Sequence, residues 1–329
     1  MYKPTRRILC LGLLGMAAGP LPLRAQQAAL PVIGFLSSGS PRAFAKFLKA
    51  FQQGLSEAGF VEGRNVSIVY RWAEGHFDEL DGLAAELVAH PVTLIAATGG
   101  MLSAQAAKKA TETIPIVTVL GFDPVKLGLV ASFNKPGGNL TGTTIITTEI
   151  APKRLSLLCD LDPGIRTVAT LVNPNPSGTK AETESLAAAA STTGRSLIVL
   201  EARSDSEIDA AFAETAQKRV RGVVISADPL FTARRSHIVG LAAKYSVPVM
   251  YPFREFVEAG GLMSYGPSLA GAYRVAGIYA GRILKGAKPS ELPIEEPTAF
   301  EFLINMKTAQ TLGLTIPPGL LSIVDETIE

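Results

Sequence analysis

Cysteine is almost missing from this chain: Cys10 and Cys159 are the two among 329 residues. With no Cys-x-x-Cys pair, disulfide scaffolds, zinc ribbons and thioredoxin-type redox motifs are excluded. Histidine is nearly as scarce. His76, His90 and His237 are scattered, and none has a histidine four residues on, so no histidine-based metal signature exists. Blocks of like charge are absent too, which removes the electrostatic footprint of a nucleic-acid or membrane-surface binder. No Gly-x-Gly-x-x-Gly follows a strand, and there is neither a Walker Gly-Lys-Ser/Thr nor a Gly-x-Ser-x-Gly elbow. Cofactor-dependent and nucleophilic enzyme chemistry therefore find no motif, and no cofactor is expected.

What is present begins with a distinct leader. MYKPTRRILCLGLLGMAAGPLPLRAQQ opens on Lys3, Arg6 and Arg7, runs apolar from Ile8 to Ala18, and breaks at Gly19-Pro20. Leu23-Arg24-Ala25 then offers a cleavage point. This is the layout of a secretory signal peptide over residues 1–25, and its apolar run is too short to span a bilayer. Thr5-Arg6-Arg7 lacks the usual twin-arginine continuation, which favours general secretion. Cys10 lies inside the run rather than after it, a poor position for lipid attachment. Cleavage would remove four cations (Lys3, Arg6, Arg7, Arg24) and no anion, taking the formal charge from +2 to −2. The mature chain would be periplasmic, with Cys159 as its lone thiol and a hydrophobic core as its main support.

From Pro31 onward short apolar runs alternate with helical patterns. PVIGFL (31–36), NVSIVYRW (65–72), VTLIAAT (92–98) and PIVTVL (115–120) predict strands. Phe44, Phe47, Leu48, Phe51 and Leu55 fall at helical spacing, as do Leu80, Leu83, Ala84, Leu87 and Val88. After the turn-rich NKPGGN (134–139) the rhythm restarts, with strands at 167–172, 196–201, 222–227 and 248–251 and helices near 179–193, 205–218 and 232–244. Continuous Val/Ile/Leu runs between helices are what parallel sheets covered on both faces require. The pattern predicts an α/β protein of two doubly wound, Rossmann-like lobes, divided near residues 140–150.

Ligands of open α/β sheets bind beyond the carboxyl ends of the strands. Those ends carry Ser37 and Ser38, Thr98 and Gly99, Phe122 and Asp123, Asn173, Asp228 and Tyr251. Each polar one can be an ordinary helix cap. Their coincidence in both halves, together with two aromatics, makes them candidate ligand-binding residues of a cleft with polar anchors and aromatic walls. The stretch YPFREFVEAGGLMSYGP (251–267) reads as part wall and part hinge, with Tyr251 and Phe253 just past a strand end.

The stretches PVIGFLSSG, FQQGLSEAGFVEGRNVSIVYRWAEG, IPIVTVLGFDPVKLGLVASFNKPGGNLTG, YPFREFVEAGGLMSYGPSL and ILKGAKPSELPIEEPTAFEFLINMKTAQTLGLTIPP resemble the ABC transporter substrate-binding protein family along the whole mature chain. The resemblance implies the type I periplasmic binding fold, three hinge crossings and no enzymatic activity. It implies one lobe of residues 30–145 plus about 266–292, and a second of 146–265 plus about 293–329. It also implies a monomer that captures a small molecule, an amino acid (an aromatic one among them) or related carboxylate, and delivers it to an inner-membrane permease with its ATPase. In that setting Ser37, Ser38, Thr98 and Gly99 would hold an anionic group, Asp123 or Asp228 an ammonium, and Asn173 a hydrogen bond from the other lobe. An exported hydrolase or isomerase, or a sensory module for a receptor kinase, remain the alternatives on the residues alone.

Overall fold

The structure, a computed structural model, describes residues 30–146, 149–174 and 179–329; the leader at 1–25 lies outside them. Five parallel strands make the first sheet: β1 (Val32–Ser37), β2 (Ser67–Trp72), β3 (Leu94–Thr98), β4 (Ile116–Leu120) and β5 (Leu140–Thr144). Their order is β2-β1-β3-β4-β5. Helices α1 (Ala45–Glu57), α2 (Leu80–Ala89) and α3 (Met101–Ala110) cover it. The central strand β3 is buried along its full length, as its unbroken apolar run requires.

The second sheet follows α4 (Ala151–Leu161), with β6 (Thr167–Val172), α5 (Thr179–Thr192), β7 (Ser196–Glu201), α6 (Asp205–Gln217) and β8 (Val223–Ile225). Next come α7 (Pro229–Ala233), α8 (Arg235–Lys244), β9 (Val249–Tyr251), α9 (Arg254–Glu258) and β10 (Met263–Pro267). The helix expected as one piece near 232–244 is thus two, α7 and α8, with Arg234 closing the first. A long helix, α10 (Leu269–Leu284), precedes β11 (Phe300–Asn305), α11 (Met306–Thr311), α12 (Pro318–Leu321) and β12 (Glu326–Ile328). The order is β12-β11-β10-β9-β8-β6-β7, and β11 runs antiparallel to β10 while the other pairs are parallel.

The chain passes between the sheets three times. After β10, α10 returns to lie on α1 and over β3, β4 and β5. Ser268 caps it, its Oγ accepting from Gly271 N at 3.1 Å. Ile294 N donates to Phe133 O at 2.7 Å and Glu295 N to Gly142 O at 3.0 Å, so this segment stays with the first sheet until the chain leaves for β11. The α1–α10 crossing is close because both helices present glycine there. A Cβ on Gly54 would fall 1.8 Å from Arg274 O, and one on Gly277 2.0 Å from Phe51 O. No helix among the described residues is long and apolar enough to cross a membrane.

Candidate functional site

The carboxyl ends of both sheets face a common cleft with a cavity volume of about 60 Å³. From the first lobe it is walled by Phe44 just before α1, by Gly99, Gly100 and Met101 at the start of α3, and by Phe122 after β4. Leu269 and Tyr273 on α10 add to that side. The second lobe contributes Asn173 after β6, Asp228 and Thr232 at α7, and Phe253 ahead of α9.

Asp228 is the charged side chain among the described lining residues. It is 5% exposed. As N-cap of α7 its Oδ1 accepts from Leu230 N at 2.8 Å and from Asn173 Nδ2 at 3.2 Å. Thr232 Oγ1 donates to the Asp228 carbonyl at 2.9 Å and fixes the turn. Burial pushes the Asp228 carboxyl up to about 6, against the lowering effect of those hydrogen bonds. Arg154 and Glu182 are further ionisable groups buried in this lobe. Arg154 of α4 donates from Nε to Tyr265 O at 2.8 Å, while its two terminal nitrogens have no hydrogen-bond partner among the described residues. Burial pushes the Glu182 carboxyl on α5 up to about 7; Arg154 pulls it down and Asp228 pushes it further up.

The residues singled out in the sequence divide into three groups. Gly99, Phe122, Asn173 and Asp228 line the cleft together. Ser37, Ser38 and Thr98 are not among its lining residues: all three are buried, and Ser38 and Thr98 stitch β1 to β3. Ser38 Oγ donates to Gly99 O, Thr98 Oγ1 donates to Leu36 O at 3.4 Å, and Ser37 Oγ accepts from Gly39 N at 3.3 Å. Gly99 N itself donates to Tyr273 Oη at 3.0 Å, so that amide is spoken for by α10. These hydroxyls set the shape of the wall from behind it.

Asp123 and Tyr251 also lie outside the lining. Asp123 Oδ1 accepts from Val125 N at 2.8 Å and Lys126 N at 3.1 Å, capping the turn after β4, and it is not among the residues that line the cleft. Tyr251 is wholly buried in the second lobe, stacked on Phe256 with ring centroids 4.9 Å apart. Its place at the end of β9 turns the ring into the core rather than the cleft. Phe253, two residues on, supplies the wall there. Sequence reasoning missed Phe44, Phe77, Met101, Leu269 and Tyr273. Phe44 and Tyr273 fall on helical apolar patterns indistinguishable from core positions, and nothing in their spacing marks them out.

Comparison with known proteins gives a consistent picture. The family described as ABC transporter substrate binding protein matches residues 32–328. A tyrosine-binding protein of Clostridioides difficile (strain R20291) is 26% identical over 269 residues, 82% of this chain and 77% of that one. Among solved structures, an ABC domain in complex with L-Trp from Streptococcus pneumonia has 26% identity and a TM-score of 0.82, covering 91% of this chain and 100% of its own. A ligand-free, open substrate binding protein with adhesive properties from Clostridium difficile has 24% identity and a TM-score of 0.64 at the same coverages. The two-lobed arrangement is the type I periplasmic binding fold.

Proposed function

The chain belongs to the ABC transporter substrate binding protein family, and on that premise we propose that it captures an amino acid with a large apolar side chain in the interlobe cleft for an ABC importer. The observation that carries this reading is Asp228, one buried carboxylate in an otherwise uncharged, aromatic-walled cleft among the described residues. A carboxylate so placed suits an ammonium group, whose charge offsets the cost of burying it. The solute's carboxylate would meet the N-terminal turn of α3, where Gly100 precedes Met101 with no side-chain cap on the free N–H groups. Phe44, Phe122, Phe253 and Tyr273 would enclose its body. The tyrosine and tryptophan named for the two relatives fit these demands.

Capture in this reading is a hinge closure about the three crossings, which buries the solute and changes the outer surface offered to the permease. The better overlay on the L-Trp complex than on the open relative supports taking the present lobe arrangement as near the closed one. Export by the leader would put the protein in the periplasm, with the permease and its ATPase in the inner membrane and the energy of transport supplied by the ATPase. Family membership sets aside the hydrolase and isomerase alternatives.

Calorimetry of the ligand-stripped mature protein with L-tyrosine, L-tryptophan and L-phenylalanine tests the proposal. At least one should bind at micromolar level. Asp228→Asn should weaken it by about 30-fold or more, the cost of removing a charge from a buried, hydrogen-bonded pair. Retained affinity in Asp228→Asn would remove the ammonium site from the second lobe.

A further inference from the structure

The second lobe carries an acidic cluster beside the cleft that its own cation there does not balance. Glu258 Oε1 on α9, Glu301 Oε2 on β11 and Glu326 Oε2 on β12 share the guanidinium of Arg254, at 3.0, 2.6 and 2.8 Å. Glu255, one turn before Glu258 on α9, is 3% exposed and neither of its oxygens accepts a hydrogen bond among the described residues. Burial pushes its carboxyl up, and Lys46 pulls it down. Lys46 belongs to the other lobe. It sits in the first turn of α1, with Nζ 2.7 and 3.0 Å from the two Glu258 oxygens and 3.6 Å from Glu255 Oε1.

A second contact crosses the lobes three residues earlier. Arg235 Nη1 on α8 donates to the carbonyl of Ala43 at 3.1 Å. Between Ala43 and Lys46 stands Phe44, and immediately before α9 stands Phe253; both line the cleft. The polar edge and the apolar walls are therefore carried by the same two segments, 43–46 and 253–258. When the lobes part, these segments separate, and Glu255 and Glu258 lose the cation that reaches them from α1.

We propose that Lys46 is a closure latch: an affinity-determining residue outside the cleft that acts on the bound solute only by holding α9 against α1. This rests on the reading that the lobes close around a solute. Apparent affinity scales with the fraction of molecules in the closing-competent state, so a residue that never touches the ligand can set it. An isolated exposed ion pair contributes little. Lys46 does more because one of its carboxylates is buried and the cluster it enters is short of positive charge. It acts after encounter, so its effect falls on release of the solute rather than on its arrival.

The test uses the full mature chain with L-tryptophan and L-tyrosine as probes, in calorimetry and stopped-flow dissociation. Lys46→Met should raise Kd about three- to tenfold, nearly all of it in the dissociation rate. Lys46→Glu should go further, and Lys46→Glu combined with Glu258→Lys should recover most of the loss. Added salt should weaken binding by the wild type and move Lys46→Met less. Small-angle scattering of the ligand-free protein should show a larger radius of gyration for Lys46→Glu than for the wild type. An unchanged dissociation rate in Lys46→Met, or a charge swap no better than its single variants, would overturn the latch. If neither amino acid binds, the proposed function fails, and the scattering comparison still decides: equal radii would overturn the latch.

Discussion

At the scale of single residues, the ionisation of the second lobe gives a signed expectation. The Asp228 and Glu182 carboxyls are pushed up to about 6 and about 7 by burial, and the groups that face them are Asn173, Arg154 and each other. The ligand-free folded chain thus keeps protons that the unfolded chain has already released. Stability from this source is complete below about pH 4 and is lost as pH rises through about 6 to 7. The unfolding free energy of the ligand-free protein should fall across that window, by at most about 1.4 kcal/mol per pH unit for each carboxyl, and Glu182→Gln should flatten the curve. A wild-type curve without that slope would show both carboxyls ionised. Affinity for an ammonium-bearing solute should run the other way, strengthening as Asp228 loses its proton. Tyr251 gives a second residue-level expectation. Its hydroxyl is buried with no hydrogen-bond partner among the described residues, so Tyr251→Phe should leave solute affinity unchanged and stability equal or about 1 kcal/mol higher in urea unfolding. Tyr251→Ala should cost about 3–5 kcal/mol through the cavity it opens. At β9 the strand-end rule singled out the loop but did not say which of its aromatics faces the cleft. Whether residue 251 or residue 253 faces the cleft depends on how the strand ends, which apolar periodicity does not encode.

Elements were more legible than side chains. The Val/Ile/Leu runs at 31–36, 92–98, 115–120 and 167–172 all appear as strands, because a buried parallel strand leaves a continuous apolar signature that polar turns bound sharply. The direction of β11 was not legible, since FEFLIN is equally apolar whether it pairs parallel or antiparallel with β10. The partner of α10 was also hidden: its apolar face is evident, but only the fold brings it to α1. The glycines record that pairing. Because a side chain on Gly277 would run into the backbone of α1, Gly277→Val should cost about 3 kcal/mol or more by forcing the helices apart. Chemical denaturation measures it, and a loss under about 1 kcal/mol would mean that the helices can separate without penalty. Gly240, with open space around its Cβ position, is the matched control; a substitution to Ala there should be neutral or mildly stabilising.

At the scale of the whole molecule, two sheets with a shared cleft make stability depend on the solute. Binding that favours the folded, closed state should add about 2.7 kcal/mol of unfolding free energy at a hundredfold excess over Kd. A thermal shift that follows ligand concentration in this way, and falls to about a third or less in Asp228→Asn at the same ligand concentration, would tie the melting behaviour to the cleft. The three crossings have another consequence, which concerns time rather than affinity. Residues 269–295 pack on the first sheet, yet the chain makes them only after five of the seven strands of the second. Until then Phe47, Phe51 and Leu55 of α1 have no α10 to cover them. A chain emerging from its N-terminus therefore cannot finish its first lobe first, and an exposed apolar face must wait for its lid. The fragment 30–145 should accordingly stay non-native in isolation and bind hydrophobic dye, and gain structure when a peptide spanning 269–295 is supplied in trans. Folding of this protein should be paced by the late arrival of one helix, which makes its assembly long-range and open to holdase chaperones in the interval.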